Sequence, residues 1–564
     1  MLELTRAQES RAAIERLYVV MRHLFNRGYY KPGGASGQAI KNDLLVLSPE
    51  IYGSMKDQTK VELDGLVYVI DRLPKGIEEC RFIKLVSEEG YEKSTFNKII
   101  PSARRRNCYR VDRENMLIEV TRGRSEIYDV LTHLTFLYLE ADKIVRNAQD
   151  SKKRLLREWQ KLEEIVTGKE KITTQNEEIA FTYLSTILGR TFDETKRAHA
   201  RLVANDDKNN GLFHIVYWLG KVALNEFQNE EDREITFSPT LRARIGHHIY
   251  GEQWANKIKG LLHEHNLLER PIHIVSANLH SVMNSLYAYA ALKEHFGDNK
   301  DLIEIVSELS KTQSAKLRKE IENYALQYGM YVVDDDNGTH ITAQIFDLEK
   351  VNVDLLPEGI TANKTSLKKL KPVIILMDYA FGEQAFETMD ELLKPFEDSK
   401  KLKMNVESIS IMGKAGILHG GKGDLMIPTA HIFEGTADNY PFENDLTKDD
   451  FKDVSDLQAF EGPMITVLGT SLQNKDILAF LRNSSWGAIG LEMEGAHYQK
   501  AIQAASKIRK NIKPDVTLRY AYYASDNPLQ TGHTLASGSL GMTGVKPTYA
   551  ITLKILEKIL TSKA

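Results

Sequence analysis

The chain has 564 residues, more than a single hydrophobic core usually supports, so two or more domains are expected. With 42% hydrophobic and 27% charged residues it has an ordinary globular composition, which excludes a collagen-like, disordered or disulfide-scaffold chain. A net charge of -4 with a pI near 6.5 supplies no overall attraction for nucleic acid or an anionic membrane, and neither is expected as a partner.

The opening stretch MLELTRAQESRAAIERLYVVMRHLF carries charges throughout and reads as an amphipathic helix without the apolar segment of a signal peptide. No apolar run elsewhere is long enough to cross a bilayer, so a cytoplasmic location is expected. Cys80 and Cys108 are too few for a disulfide framework and lack metal-ligand spacing, which predicts two thiols in a reducing compartment. Residues 1–265 read as a mainly helical domain of unassigned role, because apolar residues recur at three- and four-residue spacing in EIYDVLTHLTFLYLEADKIVRNA and RLLREWQKLEEIV. GLVYVIDRL and MLIEVTRG read as short strands or buried turns, and the basic run Arg104 to Arg106 as an exposed loop, with a phosphate contact as the alternative.

After the polar connector HEHNLLERP, residues 270–564 read as a second domain. The apolar run PIHIVS predicts a buried strand that ends at Asn278 and His280 and leads into the helix SVMNSLYAYAALKEHF. Asn337-Gly338, between YVV and AQIFD, signals a hairpin. Strands then follow in PVIILM, ESISIMGKAG, PMITVLG, AIGLEMEG and LRYAYYASD, alternating with helical segments. Such alternation predicts an α/β domain with a mixed central sheet flanked by helices, and ligands gathered at the strand ends. The strand-end residues are Asn278, His280, Gly382, Gly413, Lys414, Gly416, Thr470, Ser471, Glu492, Met493, Glu494, Ser525 and Asp526.

Three of these strand ends carry a resemblance. GLEMEGAHY, YASDNPL and MGKAGILHGGKGDLMIP occur in the order found in the nucleoside phosphorylase and nucleosidase superfamily, and within it they resemble the catalytic domain of bacterial AMP nucleosidase. The resemblance begins near Pro271 and implies a phosphorylase-like fold and cleavage of an N-glycosidic bond in a purine nucleoside or nucleotide. It implies that Asp526 protonates the departing base and that Glu494 accepts hydrogen bonds from the ribose hydroxyls. Met493 would pack on the sugar, with Glu492 in support. Ser525, Gly413, Gly416, Gly382, Thr470 and Ser471 would contact ligand, and a homo-oligomer is expected.

The chemistry of these residue types agrees with such roles. A carboxylic acid at the end of the apolar strand TLRYAYYAS has the burial that raises a pKa toward working pH, although Asp-Asn-Pro also makes an ordinary turn. Glu492 and Glu494, two apart on a strand end, are expected on one face with Met493 opposite. Acidic residues starting a solvated helix are the alternative. Glycines permit close backbone approach, and hydroxyls at Thr470 and Ser471 suit sugar, water or phosphate.

Phosphorylases of the superfamily place an arginine just before the glycine-rich turn, and that position is Ile411. An isoleucine offers neither charge nor donors, so water is expected as the attacking group. Phosphorolysis stays open through Lys414, as does a 5′-phosphate contact through His280, His419, Lys414 or Lys422. No cofactor or metal is expected. A nucleotide-sensing or scaffold role is the third reading, motivated by the absent arginine.

Overall fold

The computed structural model describes residues 4–104, 106–229, 231–336, 338–397, 401–436, 438–530 and 540–562. Two compact units emerge, one of Met1–His247 with Ser471–Ile477, the other of His248–Thr470 with Leu478–Ala564. The helix Ile249–Glu264 therefore belongs to the second unit, ahead of the boundary expected at 265 to 270. Its Trp254 donates Nε1–H to the Ile341 carbonyl at 2.8 Å inside that unit's core.

The first unit combines long helices with a sheet that the helical periodicity concealed. Strands β1 (Tyr29–Tyr30), β2 (Phe82–Val86), β3 (Asn97–Ile99), β4 (Cys108–Arg110), β5 (Asn115–Glu119) and β6 (Glu234–Phe237) form one six-stranded sheet in the order β1-β6-β2-β5-β4-β3. It is mixed, with β2 parallel to both β5 and β6. MLIEVTRG supplies β5, whereas GLVYVIDRL is the helix Leu63–Ile70. The helix Gly123–Asn147 presents an almost continuous set of buried residues, as a central helix must. Trp159 stacks on Tyr217 at 5.4 Å, so the aromatic run in HIVYWLGKVAL serves packing. Arg104 and Arg106 stand 3.6 and 3.4 Å from Asp129, and Arg106 is buried, so neither reads as a solvated loop cation. Cys80 and Cys108 are buried free thiols, and burial pushes Cys108 up to about 12.

The second unit is built on one large mixed sheet. Its strands are β7 (Ile272–Ser276), β8 (Met330–Val333), β9 (Ala343–Asp347), β10 (Val373–Met377), the short pair β11 (Phe396–Glu397) and β12 (Lys401–Leu402), β13 (Val406–Ile417), β14 (Leu425–Phe433), β15 (Asn439–Pro441), β16 (Ala459–Thr466), β17 (Gly490–Glu492) and β18 (Thr517–Asp526). Apart from the β11–β12 pair, the order runs β15-β14-β16-β17-β13-β7-β10-β9-β8, and β18 bridges β13 and β14. β8 and β9 form the expected hairpin, joined by residues 334–342; Asn337 lies outside the described residues. Asp335 organises that turn, its carboxylate accepting from the Thr339 hydroxyl at 2.9 Å.

The pairings close a ring. β13 lies parallel to β18, β18 antiparallel to β14, β14 parallel to β16, β16 parallel to β17, and β17 antiparallel to the far end of β13. A twelve-residue strand makes this possible, because the first half of β13 pairs with β7 and only Gly416 and Ile417 pair with β17. Alternation then splits the side chains between two cores. Ile409, Ile411, Ala415, Tyr520 and Tyr522 enter one core, while Met412 and Ala521 enter the other, beneath the helix Val545–Leu560. The five-residue apolar run of β10 is buried throughout, as a strand covered on both faces requires. Among the described residues no helix is long and apolar enough to cross a membrane.

Candidate functional site

Strand ends of the second unit open onto a cleft of about 1510 Å³. Its floor comes from the end of β7, the residues after β10, the middle of β13 and the Tyr522-Tyr523 pair of β18, the edge at which ligands gather in sheets of this kind. Of the residues expected at the site, Asn278, His280, Gly413, Lys414 and Glu494 line it. Asn278 caps the helix Leu279–Ala291, its Oδ1 accepting the His280 N–H at 2.9 Å, which fixes the turn that brings both residues to the cleft. Gly413 lies between two rings: a Cβ there would stand 3.6 Å from Tyr522 and 3.9 Å from Tyr379. Ile411, at the position where phosphorylases carry the phosphate-binding arginine, is buried on the wall and brings no donor.

The two glutamates part company, because the strand ends at Glu492 and the helix Gly495–Gln503 begins three residues later. They do not share a strand face as the spacing predicted. Glu494 reaches the cleft, with Oε1 accepting the Gly382 N–H at 2.8 Å and Oε2 that of Met493 at 3.3 Å. Gly382 thus acts on Glu494 through its main chain and is absent from the cleft lining. Its φ of 55° is one that L side chains rarely adopt.

Glu492 turns inward, where it is 5% exposed. Its Oε2 accepts the Glu494 N–H at 2.5 Å and that of Gly495, and its Oε1 accepts from the Thr466 hydroxyl. The His431 ring, fully buried against Phe442 and Tyr520, brings Nδ1 to 3.5 Å from the same oxygen. Burial works to raise the Glu492 pKa, yet these donors and His431 outweigh it and hold the carboxyl below its ordinary value. A charged Glu492 therefore anchors the backbone that carries Glu494. Met493 is buried beside it and also off the cleft lining.

Asp526 is 2% exposed and accepts the Ser525 hydroxyl, while Ser525 also donates to the Ala415 carbonyl at 3.1 Å. Neither residue lines the cleft. Register places Asp526 opposite Gly416 on one side of β13, with Leu491 opposite Gly416 on the other. The turn after β18 is organised by Asn527, whose Nδ2 donates to the Gly420 carbonyl at 3.0 Å and whose Oδ1 accepts the Leu529 N–H at 3.0 Å. The turn Gly420 to Gly423 is tied down by Asp424, whose Oδ2 accepts the Gly421 N–H at 2.8 Å, and Gly420, Gly421 and Gly423 lie away from the cleft lining, as do Gly416, His419 and Lys422.

Thr470 and Ser471 are not part of the cleft lining. Ser471 opens the segment that belongs to the first unit, where Asn474 donates to the Leu47 carbonyl at 2.8 Å. The Thr470-Ser471 pair therefore leads into a segment of the first unit, and its hydroxyls resemble a ligand-binding turn in sequence alone.

Several cleft residues carried no motif. Tyr522 is 3% exposed, its hydroxyl has no hydrogen-bond partner among the described residues, and burial, with Glu492 and Tyr520 nearby, pushes its pKa well up. Tyr498 reaches the cleft floor and meets Ser276 Oγ at 3.2 Å. The aromatic density of YAYYASD was the available signal. Among the described residues Glu78, Glu79 and His214 have metal-ligand proximity. They belong to the first unit and already receive Asn210 at 2.7 Å and Arg110 at 2.9 Å.

Comparison with solved structures finds the 5′-methylthioadenosine/S-adenosyl homocysteine nucleosidase of Campylobacter jejuni at 12% identity, covering 51% of this chain and 99% of that one, with a TM-score of 0.29. The futalosine hydrolase of Helicobacter pylori is 14% identical, covering 52% and 99%, and isoform 2 of the Schistosoma mansoni uridine phosphorylase is 11% identical, covering 54% and 87%, each with a TM-score of 0.29. Identities and TM-scores this low leave the functional reading to the residues of the cleft. No curated protein sequence matches. The model of a family described as "Family of unknown function (DUF6909)" matches residues 45–327 and 305–561. Those matches span more than half of the sequence, and the chain belongs to the DUF6909 family.

Proposed function

We propose that the second unit hydrolyses the N-glycosidic bond of a purine nucleoside or nucleotide, as its sequence resemblance implies. Glu494 carries the reading: a carboxylate on the cleft wall, oriented by the Gly382 N–H at 2.8 Å and placed on a backbone that Glu492 holds. A carboxylate so fixed accepts the 2′- and 3′-hydroxyls of a ribose, and such charge-assisted bonds are about twice as strong as neutral ones. Water is the attacking group because Ile411 supplies no phosphate-binding donor.

In this reading Asp526 is the acid. The bond between the base nitrogen and the sugar C1′ breaks, the Asp526 proton passes to the base, water adds its oxygen to C1′, and the water proton restores the acid. The register beside Gly416 brings the end of β18, with its buried Asp526, next to the strand that lines the cleft. Incubation with nucleosides and nucleotides, with and without phosphate, followed by chromatography, tests it. Free base and a reducing sugar without added phosphate are expected; a sugar 1-phosphate formed only with phosphate would replace hydrolysis by phosphorolysis.

One observation favours a second reading, binding without turnover: Asp526 is absent from the cleft lining. A ligand recovered unchanged that raises stability, by about 2.7 kcal/mol at a hundredfold excess over Kd, would support it.

A further inference from the structure

We infer that Gln384 is a positioning residue for Glu494: it locks the turn whose Gly382 N–H orients the carboxylate, and so sets the preference of the cleft for a sugar that carries its 2′- and 3′-hydroxyls. The inference rests on the nucleoside reading above and deepens it.

Two main-chain donors meet the Glu494 carboxylate, and the Gly382 N–H at 2.8 Å is closer than the Met493 N–H at 3.3 Å. Met493 is the neighbour of Glu494 in the chain, whereas Gly382 reaches it from another element, so the aim of the carboxylate depends on where Gly382 is held. Gly382 lies in the crossing between β10, which ends at Met377, and the helix Gln384–Leu392. No strand ladder fixes it there, and its place is set by the contacts of the crossing itself.

Gln384 closes this turn twice. Its main-chain N–H donates to the Phe381 carbonyl at 3.2 Å, and its side-chain Oε1 accepts the Phe381 N–H at 3.1 Å. Its Nε2 donates to the Thr339 carbonyl at 2.6 Å, just ahead of β9. The amide fits one way round, because a flip would set Nε2 against an N–H and Oε1 against a carbonyl. The same stretch holds the other end of the crossing, where the Asp378 N–H donates to the Thr342 carbonyl at 3.0 Å. Residues 378–384 are thus clamped at both ends onto the lead-in to β9, with Gly382 between the clamps. Thr339 is anchored in turn by Asp335, whose Oδ1 accepts its N–H at 3.2 Å and its hydroxyl at 2.9 Å.

Gln384 is 3% exposed and does not line the cleft, so its effect on a ligand runs through Glu494. Burying an amide costs free energy that an apolar side chain of similar size does not. What the amide returns is a fixed position for Phe381 and, next to it, for Gly382. Recognition by hydrogen bonds requires groups held within about 0.5 Å of the productive geometry, and slack in this turn passes directly to the carboxylate.

Calorimetric titration of the full chain and of its Gln384→Leu variant with adenosine and with 2′,3′-dideoxyadenosine tests the inference, with thermal unfolding as the check on folding. The preference for adenosine is expected to fall by about fivefold or more in the variant, while dideoxyadenosine binds as before, because only the hydroxyls meet Glu494. In a Glu494→Gln background the same substitution is expected to leave the ratio where it is. A merely structural role weakens both ligands alike, so a folded Gln384→Leu variant with an unchanged ratio overturns the inference. If Gln384→Leu fails to fold, Asp335→Ala, which releases Thr339 at a half-buried position, reads the same ratio: a lowered one supports the inference and an unchanged one overturns it. An adenosine preference that survives these variants sinks this inference alone; an unsubstituted chain that binds neither nucleoside, or both equally, sinks the assigned role of Glu494 with it.

Discussion

Replacing Gly495 by alanine probes the anchor beneath Glu494. A Cβ at this position would overlap the His431 ring and stand 2.9 Å from Glu492 Oε1. The ring cannot yield easily, because it is fully buried, stacked on Phe442 at 5.3 Å and set edge-on to Tyr520 at 4.9 Å. Overpacking of a tight core costs about 1–3 kcal/mol. Alanine regains at most about 1 kcal/mol of helix propensity, and less at the first residue of the helix, so a net loss of about 1–2 kcal/mol is expected. Thermal and urea unfolding measure it. Displacing Glu492 also moves the Glu494 N–H that it holds, so nucleoside affinity falls together with stability. In a His431→Ala background the overlap is gone, and Gly495→Ala becomes neutral or mildly stabilising, which gives a coupling energy of about 1–3 kcal/mol in a double-mutant cycle. Gly495→Ala with unchanged stability in the otherwise unsubstituted chain, or equal costs in both backgrounds, would refute the anchoring argument.

Asp526→Asn should abolish base release while leaving nucleoside affinity near its starting value, and retained turnover removes Asp526 as the acid. His497 gives a pH dependence of known sign. Burial holds its pKa down at about 4, against the pull of Glu383 and Glu492, whereas unfolded histidine titrates near 6.5. The unfolded chain therefore binds the proton first, so the contribution is complete above about pH 6.5 and is lost as pH falls toward 4. Melting temperatures between pH 7 and 4.5 should fall less steeply in His497→Leu, and an identical slope contradicts this. In the first unit Gly220→Ala places a Cβ 2.6 Å from both Ile144 and Trp159. Unfolding should show about 1–2 kcal/mol of destabilisation, and none would mean the Trp159 contact relaxes freely.

The second unit was legible because its strands announce themselves. PIHIVS, PVIILM and LRYAYYASD are apolar runs flanked by polar turns, and each became a strand ending at the cleft or beside it. What the sequence hid depends on contacts distant along the chain. Closure of the ring requires β13 to switch partners midway, which no local pattern encodes. Period-two alternation would put Glu492 and Glu494 on one face, but β17 ends at Glu492 and the chain bends there into a helix. The sheet of the first unit escaped notice since its strands have two to five residues, too short for periodicity to separate from loops.

The grip of Glu494 on a ribose is tested most directly by titrating the chain and its Glu494→Gln variant with adenosine and with 2′,3′-dideoxyadenosine. Each lost charge-assisted hydrogen bond should remove roughly 1.5–3 kcal/mol, so adenosine is expected to bind at least tenfold more tightly than the dideoxy compound, and the variant should lose most of that preference. Equal affinity for the two ligands, or a preference that survives in the variant, would contradict the account.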